Sequence, residues 1–218
     1  MAITPRELLK EITKAQFDYA QIFRKALSLT RYNLAIKQNV LLKDDLFNEL
    51  LCESDLEHIG HLPLLATIIH PHLENRKKVD LPKTLLYLAL HETPERIVGD
   101  LLNQDKTKEY ADNELKAAKK LLSGSYKHYY KLYEDFHLLR NINAVFAYSI
   151  DRISPFIYYE IQSPETRIPR WKKMGITVEK AKDSNAKYMV WDSTLKNLYE
   201  ELLNNVTKQD KKYLKNKK

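Results

Sequence analysis

Cysteine and glycine are scarce in this chain of 218 residues, which contains one cysteine and four glycines. A single cysteine, Cys52, cannot form a disulfide within the chain and excludes a cysteine-rich zinc site. The few glycines form neither G-x-x-x-x-G-K-[S/T] nor G-x-G-x-x-G, so both of these glycine-rich phosphate-binding loops are excluded. The apolar runs are much shorter than the roughly 20 residues that a membrane-spanning helix needs. We therefore expect no membrane association.

The N-terminal residues and the distribution of charge indicate the compartment and the kind of partner. The segment Met1 to Glu7 lacks the charged and then apolar layout of a signal peptide, so we expect a cytoplasmic protein. The net charge is +7, but residues 207–218 hold six lysines and one aspartate and contribute +5 of it. We expect this segment to be a frayed, solvated tail, and we do not expect nucleic acid to be the partner. The alternative is a basic protein that binds nucleic acid through residues 208–218.

Helical periodicity runs through most of the sequence, and no alternating strand series or internal repeat interrupts it. Thr4, Pro5 and Glu7 form a capping-box pattern, which predicts that a helix starts there. Residues 28–51 are mixed and are expected to form a connector with a short helix, and residues 155–187, which are polar and contain prolines, lack a clear pattern. We therefore predict an all-α protein. Further helices are indicated near residues 54–69, 81–92, 95–102, 112–122, 126–140, from 141 onward and 190–206.

His91 and Glu92 stand where the apolar run Leu85–Leu90 ends. This run is typical of a buried helix, and polar groups at its end need partners because burying them unpaired is costly. A metal ion is one such partner. Two more acidic residues, Glu95 and Asp100, follow within a few positions.

Three segments, taken together and in order, resemble the HD-domain metal-dependent phosphohydrolases. The likeness covers roughly residues 28–157 and is strongest to the bacterial 5′-deoxynucleotidases and related small HD hydrolases. It implies an HD-domain helical bundle in residues 1–157 with a helical extension in residues 158–206, and it also implies a homodimer. The segments are Glu53-Ser54-Asp55-Leu56-Glu57-His58, His91-Glu92-x-x-Glu95-x-x-x-Gly99-Asp100 and Ala147-Tyr148-Ser149-Ile150-Asp151.

The resemblance implies one divalent metal ion, Zn, Mn, Co or Fe, held by His58, His91, Glu92 and Asp151. Two neutral imidazoles and two carboxylates suit these ions and leave positions for water and a phosphate oxygen. Glu92 stands where the family has its signature aspartate. Its extra methylene moves the carboxylate outward unless the backbone compensates.

The resemblance also assigns the residues that act on the substrate. Glu95 matches the catalytic carboxylate that orients or deprotonates the attacking water, and Asp100 matches a second active-site acid near the sugar and the scissile phosphate. Arg31 and Tyr32 resemble an Arg-Trp pair that helps to hold phosphate and sugar, and an arginine can bind phosphate through two hydrogen bonds. We expect His61 and His137 to be packing or supporting residues, and Glu114 to be a solvated charge.

The function that the resemblance implies is a 5′-nucleotidase that releases phosphate from deoxynucleoside monophosphates. One alternative is a dNTP hydrolase that uses the same site and releases triphosphate or pyrophosphate. In that case the lysines of residues 105–108 would contact the longer polyphosphate. A second alternative, suggested by Glu92, is a degenerate HD module that binds a nucleotide without turnover.

Overall fold

The computed structural model of this protein describes residues 3–14, 55–99, 106–123, 127–161, 163–173 and 175–217. These residues form helices and no strand, which confirms the predicted all-α fold. None of the described helices has the length and apolar character that crossing a membrane requires. The helices are α1 (residues 5–14), α2 (Asp55–Ile69), α3 (Leu81–Leu90), α4 (Glu95–Val98), α5 (Lys108–Leu121), α6 (Lys127–His137), α7 (Ile142–Ile161), α8 (Pro164–Lys173), α9 (Val178–Asn185) and α10 (Ser193–Asn216).

Side-chain caps fix where the first helices begin. The backbone N–H of Thr4 donates to Glu7 Oε2 at 2.9 Å, and the N–H of Glu7 donates to Thr4 Oγ1 at 3.2 Å. The predicted capping box is therefore confirmed. Asp80 starts α3 in a related way, because its Oδ1 accepts the N–H of Lys83 at 3.0 Å. This cap sets the start of α3, whose opposite end leads directly to His91.

Helix α7 lies at the centre of the core and packs against α2, α3, α6 and α10. Its core-facing residues recur at steps of three and four, as expected for one buried face of a helix. Asp151 lies beside this face, so the packing of α7 determines where its carboxylate lies. The fully buried residues of α7 include Ala144, Ala147, Ile150, Ile153 and Ile157.

The expected boundary between residues 157 and 158 falls inside α7, which continues through Pro155 to Ile161. Helix α10 packs on α7 with four fully buried residues in the same core, Leu195, Leu198, Leu202 and Val206. The bundle and its extension therefore share one core. Residues 155–187, which showed no clear pattern, contain the end of α7 and the helices α8 and α9.

The expectation of a frayed tail from residue 207 is wrong, because α10 continues to Asn216. Arg167 on α8 is fully buried, and its Nε donates to Asp210 Oδ1 at 3.2 Å while its Nη2 donates to Gln209 Oε1 at 3.1 Å. These bonds hold the last turns of α10 against α8. The lysines of this segment, such as Lys211, remain exposed on the other face of the helix.

Candidate metal centre

Four side chains from distant parts of the chain meet at one point of the fold. His58 lies in the first turn of α2, His91 and Glu92 directly follow α3, and Asp151 lies in α7. One ligand atom from each of the four residues lies within 4.8 Å of the other three. The structure thus brings together the complete set of residues predicted to bind the metal.

The distances within this group suit a single ion. His91 Nε2 lies 2.8 Å from Glu92 Oε1, and His58 Nε2 lies 3.0 Å from Asp151 Oδ1. The crossed distances are 3.5 Å from His58 Nε2 to Glu92 Oε1 and 3.7 Å from His91 Nε2 to Asp151 Oδ1. Two ligands at about 2.1 Å from one ion lie roughly 3.0–3.4 Å apart, so only small shifts are needed.

His91 is oriented by the backbone of the helix that precedes it. Its Nδ1 donates to the carbonyl of Leu88 at 2.7 Å, which leaves the lone pair on Nε2. Nε2 is buried and has no hydrogen-bond partner, although it lies 2.8 Å from Glu92 Oε1. Buried polar atoms normally have partners. A histidine with one nitrogen on a carbonyl and the other unpaired in a group of carboxylates is the arrangement of a metal ligand.

Glu92 reaches the group from a turn rather than from a helix. The chain leaves α3 in the turn 91–94, where Thr93 N–H donates to the Leu90 carbonyl at 3.1 Å and Glu95 N–H donates to the Glu92 carbonyl at 3.1 Å. Pro94 then starts α4. This turn places the longer side chain of Glu92 next to both imidazoles. The backbone therefore accommodates the extra methylene.

Both carboxylates of the group are held in the charged form that a metal ligand needs. In the metal-free protein, burial acts to raise the pKa of Glu92, but the close contact with His91 and the charge that its imidazole carries when protonated lower this pKa to about 2. Burial opposes ionisation of Asp151 as well. The hydrogen bond from His58 and the charge of Arg152 outweigh burial, so the pKa of Asp151 lies well below its usual range.

A second set of charged residues lies beside the ligand group. The Glu95 side chain contacts Glu92, and Lys106 Nζ lies 3.8 Å from Glu95 Oε1 and 2.9 Å from Glu114 Oε1. Glu114 is 7% exposed, and its Oε2 lies 3.8 Å from His137 Nδ1. The expectation that Glu114 is a solvated charge is therefore wrong, because it is the buried counter-ion of Lys106.

Two contacts support the ligand group, and the sequence analysis assigned a packing or supporting role to His61 but none to Ser154 or Arg152. His61 Nε2 lies 2.6 Å from Ser154 Oγ, and the His61 ring lies edge-on against His58 at 5.5 Å between centroids. Arg152 Nε lies 3.7 Å from Asp151 Oδ2, and its Nη2 donates to the Tyr148 hydroxyl at 2.5 Å. The position of Arg152 directly after Asp151 was a usable signal. Nothing in the sequence marks Ser154.

Three predicted site residues, Arg31, Tyr32 and Asp100, lie outside the described residues. Their roles stay predictions. Glu95 lies at the start of α4, adjacent to the ligand group and not within it.

Comparison with known proteins gives a family match and a structural match. A sequence model of the HD domain matches residues 46–194, which include the four residues of the group. The fold is similar to the crystal structure of a predicted metal-dependent phosphohydrolase from Magnetospirillum magnetotacticum MS-1. The TM-score is 0.59 and the sequence identity 22%, over 70% of this chain and 78% of that chain. No curated protein matches the sequence.

Proposed function

This chain belongs to the HD-domain family, and on that premise we propose that it is a metal-dependent phosphohydrolase. The observation that carries the proposal is the group formed by His58, His91, Glu92 and Asp151, in which a buried imidazole nitrogen has no hydrogen-bond partner. Two imidazoles and two carboxylates suit Zn, Mn, Co or Fe. When bound, such an ion lowers the pKa of a coordinated water and offsets negative charge on a phosphoryl group.

The charges around the group also favour a divalent cation. Among the described residues, four carboxylates and two cations lie here, and the imidazoles are neutral when they bind a metal. The formal charge of this group of residues is therefore −2. Carboxylates this close repel one another unless a cation lies between them. A divalent ion neutralises the site. The residues counted are Glu92, Glu95, Glu114, Asp151, Lys106 and Arg152.

We assign the role of general base to Glu95, which lies beside the ligand group. Its carboxylate contacts the ligand Glu92 without belonging to the ligand group. A carboxylate at this place, outside the ligand group, can accept the proton of the attacking water and hold that water in line with phosphorus. Asp100 takes part as the second acid, next to the sugar and the leaving oxygen, as the family resemblance implies.

The substrate that we propose is the 5′-monophosphate of a deoxynucleoside. Support comes from the resemblance of the three motifs to the 5′-deoxynucleotidase branch. Arg31 then clamps the phosphate through two hydrogen bonds, and Tyr32 offers an aromatic surface to the sugar. The second candidate is a dNTP hydrolase. It is favoured by the position of Lys106, which lies beside Glu95 with its side chain 23% exposed.

The test is a phosphate-release panel on protein stripped of metal and reloaded separately with Zn, Mn, Co or Fe. Deoxynucleoside monophosphates, ribonucleoside monophosphates and dNTPs are compared, and chromatography separates phosphate, pyrophosphate and triphosphate. We expect phosphate from monophosphates, and loss of turnover in Glu95→Gln with metal content retained. Release of triphosphate from dNTPs supports the second candidate. Nucleotide binding without turnover in all four metals contradicts the hydrolase proposal.

A further inference from the structure

Glu95 lies between a candidate metal ligand in the preceding turn and a lysine from another segment. Its side chain contacts Glu92, while Lys106 Nζ lies 3.8 Å from its Oε1. The four atoms grouped within 4.8 Å of one another come from other residues, so the Glu95 carboxylate stays apart from the group. A carboxylate this close to a divalent cation is attracted to it strongly. A base at this position therefore needs an opposing attraction.

Lys106 is held in place by a buried network that α5 and α6 supply. Its Nζ donates to Glu114 Oε1 at 2.9 Å, and Glu114 Oε2 lies 3.8 Å from His137 Nδ1. His137 Nδ1 in turn lies 3.3 Å from the Tyr133 hydroxyl. A lysine side chain is flexible, and this network restricts it to one position.

The start of α5 is also tied to the end of α4. The Tyr110 hydroxyl donates to the Gly99 carbonyl, and α4 packs against α5. Lys106, which lies two residues before α5, and Glu95, at the start of α4, are therefore on two segments that are bonded to each other. Their distance is set by backbone packing as well as by the ion pair.

Lys106 stays charged in this environment. Burial acts to lower its pKa, but the charge of Glu114 and the hydrogen bond to it raise the pKa above the ordinary lysine value. The separation of 3.8 Å from Glu95 exceeds the 2.7–3.2 Å range of an N–H···O hydrogen bond. At this distance the attraction between Lys106 and Glu95 is mainly Coulombic.

We infer that Lys106 is a positioning residue, fixed by Glu114, that holds the Glu95 carboxylate apart from the metal ligands and so keeps it available as a base. This inference rests on the proposed function. Without Lys106, Glu95 moves onto the metal as an additional ligand. The metal then binds more tightly and the base is lost.

The experiment compares Lys106→Met, Lys106→Arg and Lys119→Met, the last being an exposed lysine on α5 as the matched control. Mn²⁺ affinity is measured by titration of stripped protein, and kcat and KM by phosphate release. Lys106→Met is expected to bind Mn²⁺ about tenfold more tightly and to lose about 100-fold in kcat with KM nearly unchanged. Lys106→Arg is expected to keep the Mn²⁺ affinity and kcat close to those of the parent. Lys119→Met is expected to change neither the Mn²⁺ affinity nor kcat.

The role of Glu95 is isolated by repeating Lys106→Met in a Glu95→Gln background, where the gain in Mn²⁺ affinity is expected to disappear. An equal gain in both backgrounds shows that Lys106 acts by charge repulsion alone and overturns the inference. Glu114→Gln is expected to reproduce the Lys106→Met effects in smaller form, with thermal unfolding as the check on folding.

The two proposals fail in different ways. The Mn²⁺ titrations need no turnover, so they test the inference on Lys106 even if no substrate is hydrolysed. Turnover that is insensitive to Lys106→Met, with Mn²⁺ affinity unchanged, overturns the positioning role and leaves the hydrolase proposal intact.

Discussion

His58 Nε2 and Asp151 Oδ1 lie 3.0 Å apart, although 93 positions separate them in the sequence. They meet because α2 and α7 pack against each other and both contact α3, which delivers His91 and Glu92. The group is therefore built by helix packing. Any ligand that binds all four side chains links three helices and stabilises the folded chain.

Metal binding is expected to raise thermal stability. An ion at 100 times its dissociation constant stabilises the native state by about 2.7 kcal/mol if it binds the unfolded chain weakly. Scanning calorimetry of stripped protein with and without Mn²⁺ or Zn²⁺ measures the shift. His58→Ala should abolish it. If the metal raises the unfolding temperature of His58→Ala as much as that of the parent, the ion binds at another site.

The length of the Glu92 side chain is expected to matter for metal binding. Its Oε1 reaches both imidazoles, at 2.8 Å and 3.5 Å, from the turn 91–94. Glu92→Asp shortens this reach, so we expect its metal affinity to be about tenfold lower. We expect the metal affinity of Glu92→Gln to be at least about 100-fold lower, because the charge is lost. Metal titration of the stripped variants decides this. Equal or tighter binding by Glu92→Asp would show that the turn adapts.

The residues of the ligand group could be predicted to lie together because the three motifs that carry them resemble, in order and spacing, those of the HD-domain phosphohydrolases. The network around Lys106 could not, since its contacts depend on how α5 packs beside α4. A signal for the burial of Glu114 was nevertheless present. Glu114 lies three and four positions before Ala117 and Ala118, on the face of α5 that is buried. The bonds of Arg167 to α10 join residues about 43 positions apart, and no local pattern indicates them.

The stability of the metal-free protein is expected to fall in acid because of Glu92. Its pKa is 4.5 when unperturbed and about 2 in the fold. A lowered pKa stabilises the fold above pH 4.5, and this contribution is lost as the pH falls from 4.5 towards 2. Urea unfolding of stripped protein at pH 7, 5, 4 and 3 should show a loss of about 2 kcal/mol by pH 3 that Glu92→Gln lacks, and the rest of the contribution is lost at lower pH. If the free energy of unfolding depends on pH in the same way in the parent and in Glu92→Gln, the prediction is wrong.

The hydrogen bond between His61 and Ser154 is expected to support both the fold and the metal centre. Both residues are buried, at 2% and 0% exposure, and the His61 ring contacts His58. Ser154→Ala should lower the free energy of unfolding by about 1–3 kcal/mol and metal affinity by roughly tenfold. Exposed Ser123→Ala is the control, expected within about 0.5 kcal/mol of the parent. If the metal affinity of Ser154→Ala is unchanged, the hydrogen bond between His61 and Ser154 contributes to the stability of the fold and not to metal binding.

The last turns of α10 are expected to be required for stability, although they carry most of the net charge. Arg167 is fully buried, and Asp210 is the carboxylate that pairs with it. Asp210→Asn removes the charge and keeps the shape, which leaves a buried guanidinium without its counter-ion. Breaking such a pair from one side costs about 3–5 kcal/mol. Urea unfolding should show this loss in Asp210→Asn and in a chain that ends at residue 206, whereas exposed Asp183→Asn should unfold as the parent does. If the shortened chain is as stable as the parent, residues 207–218 contribute nothing to the stability of the fold and the prediction is wrong.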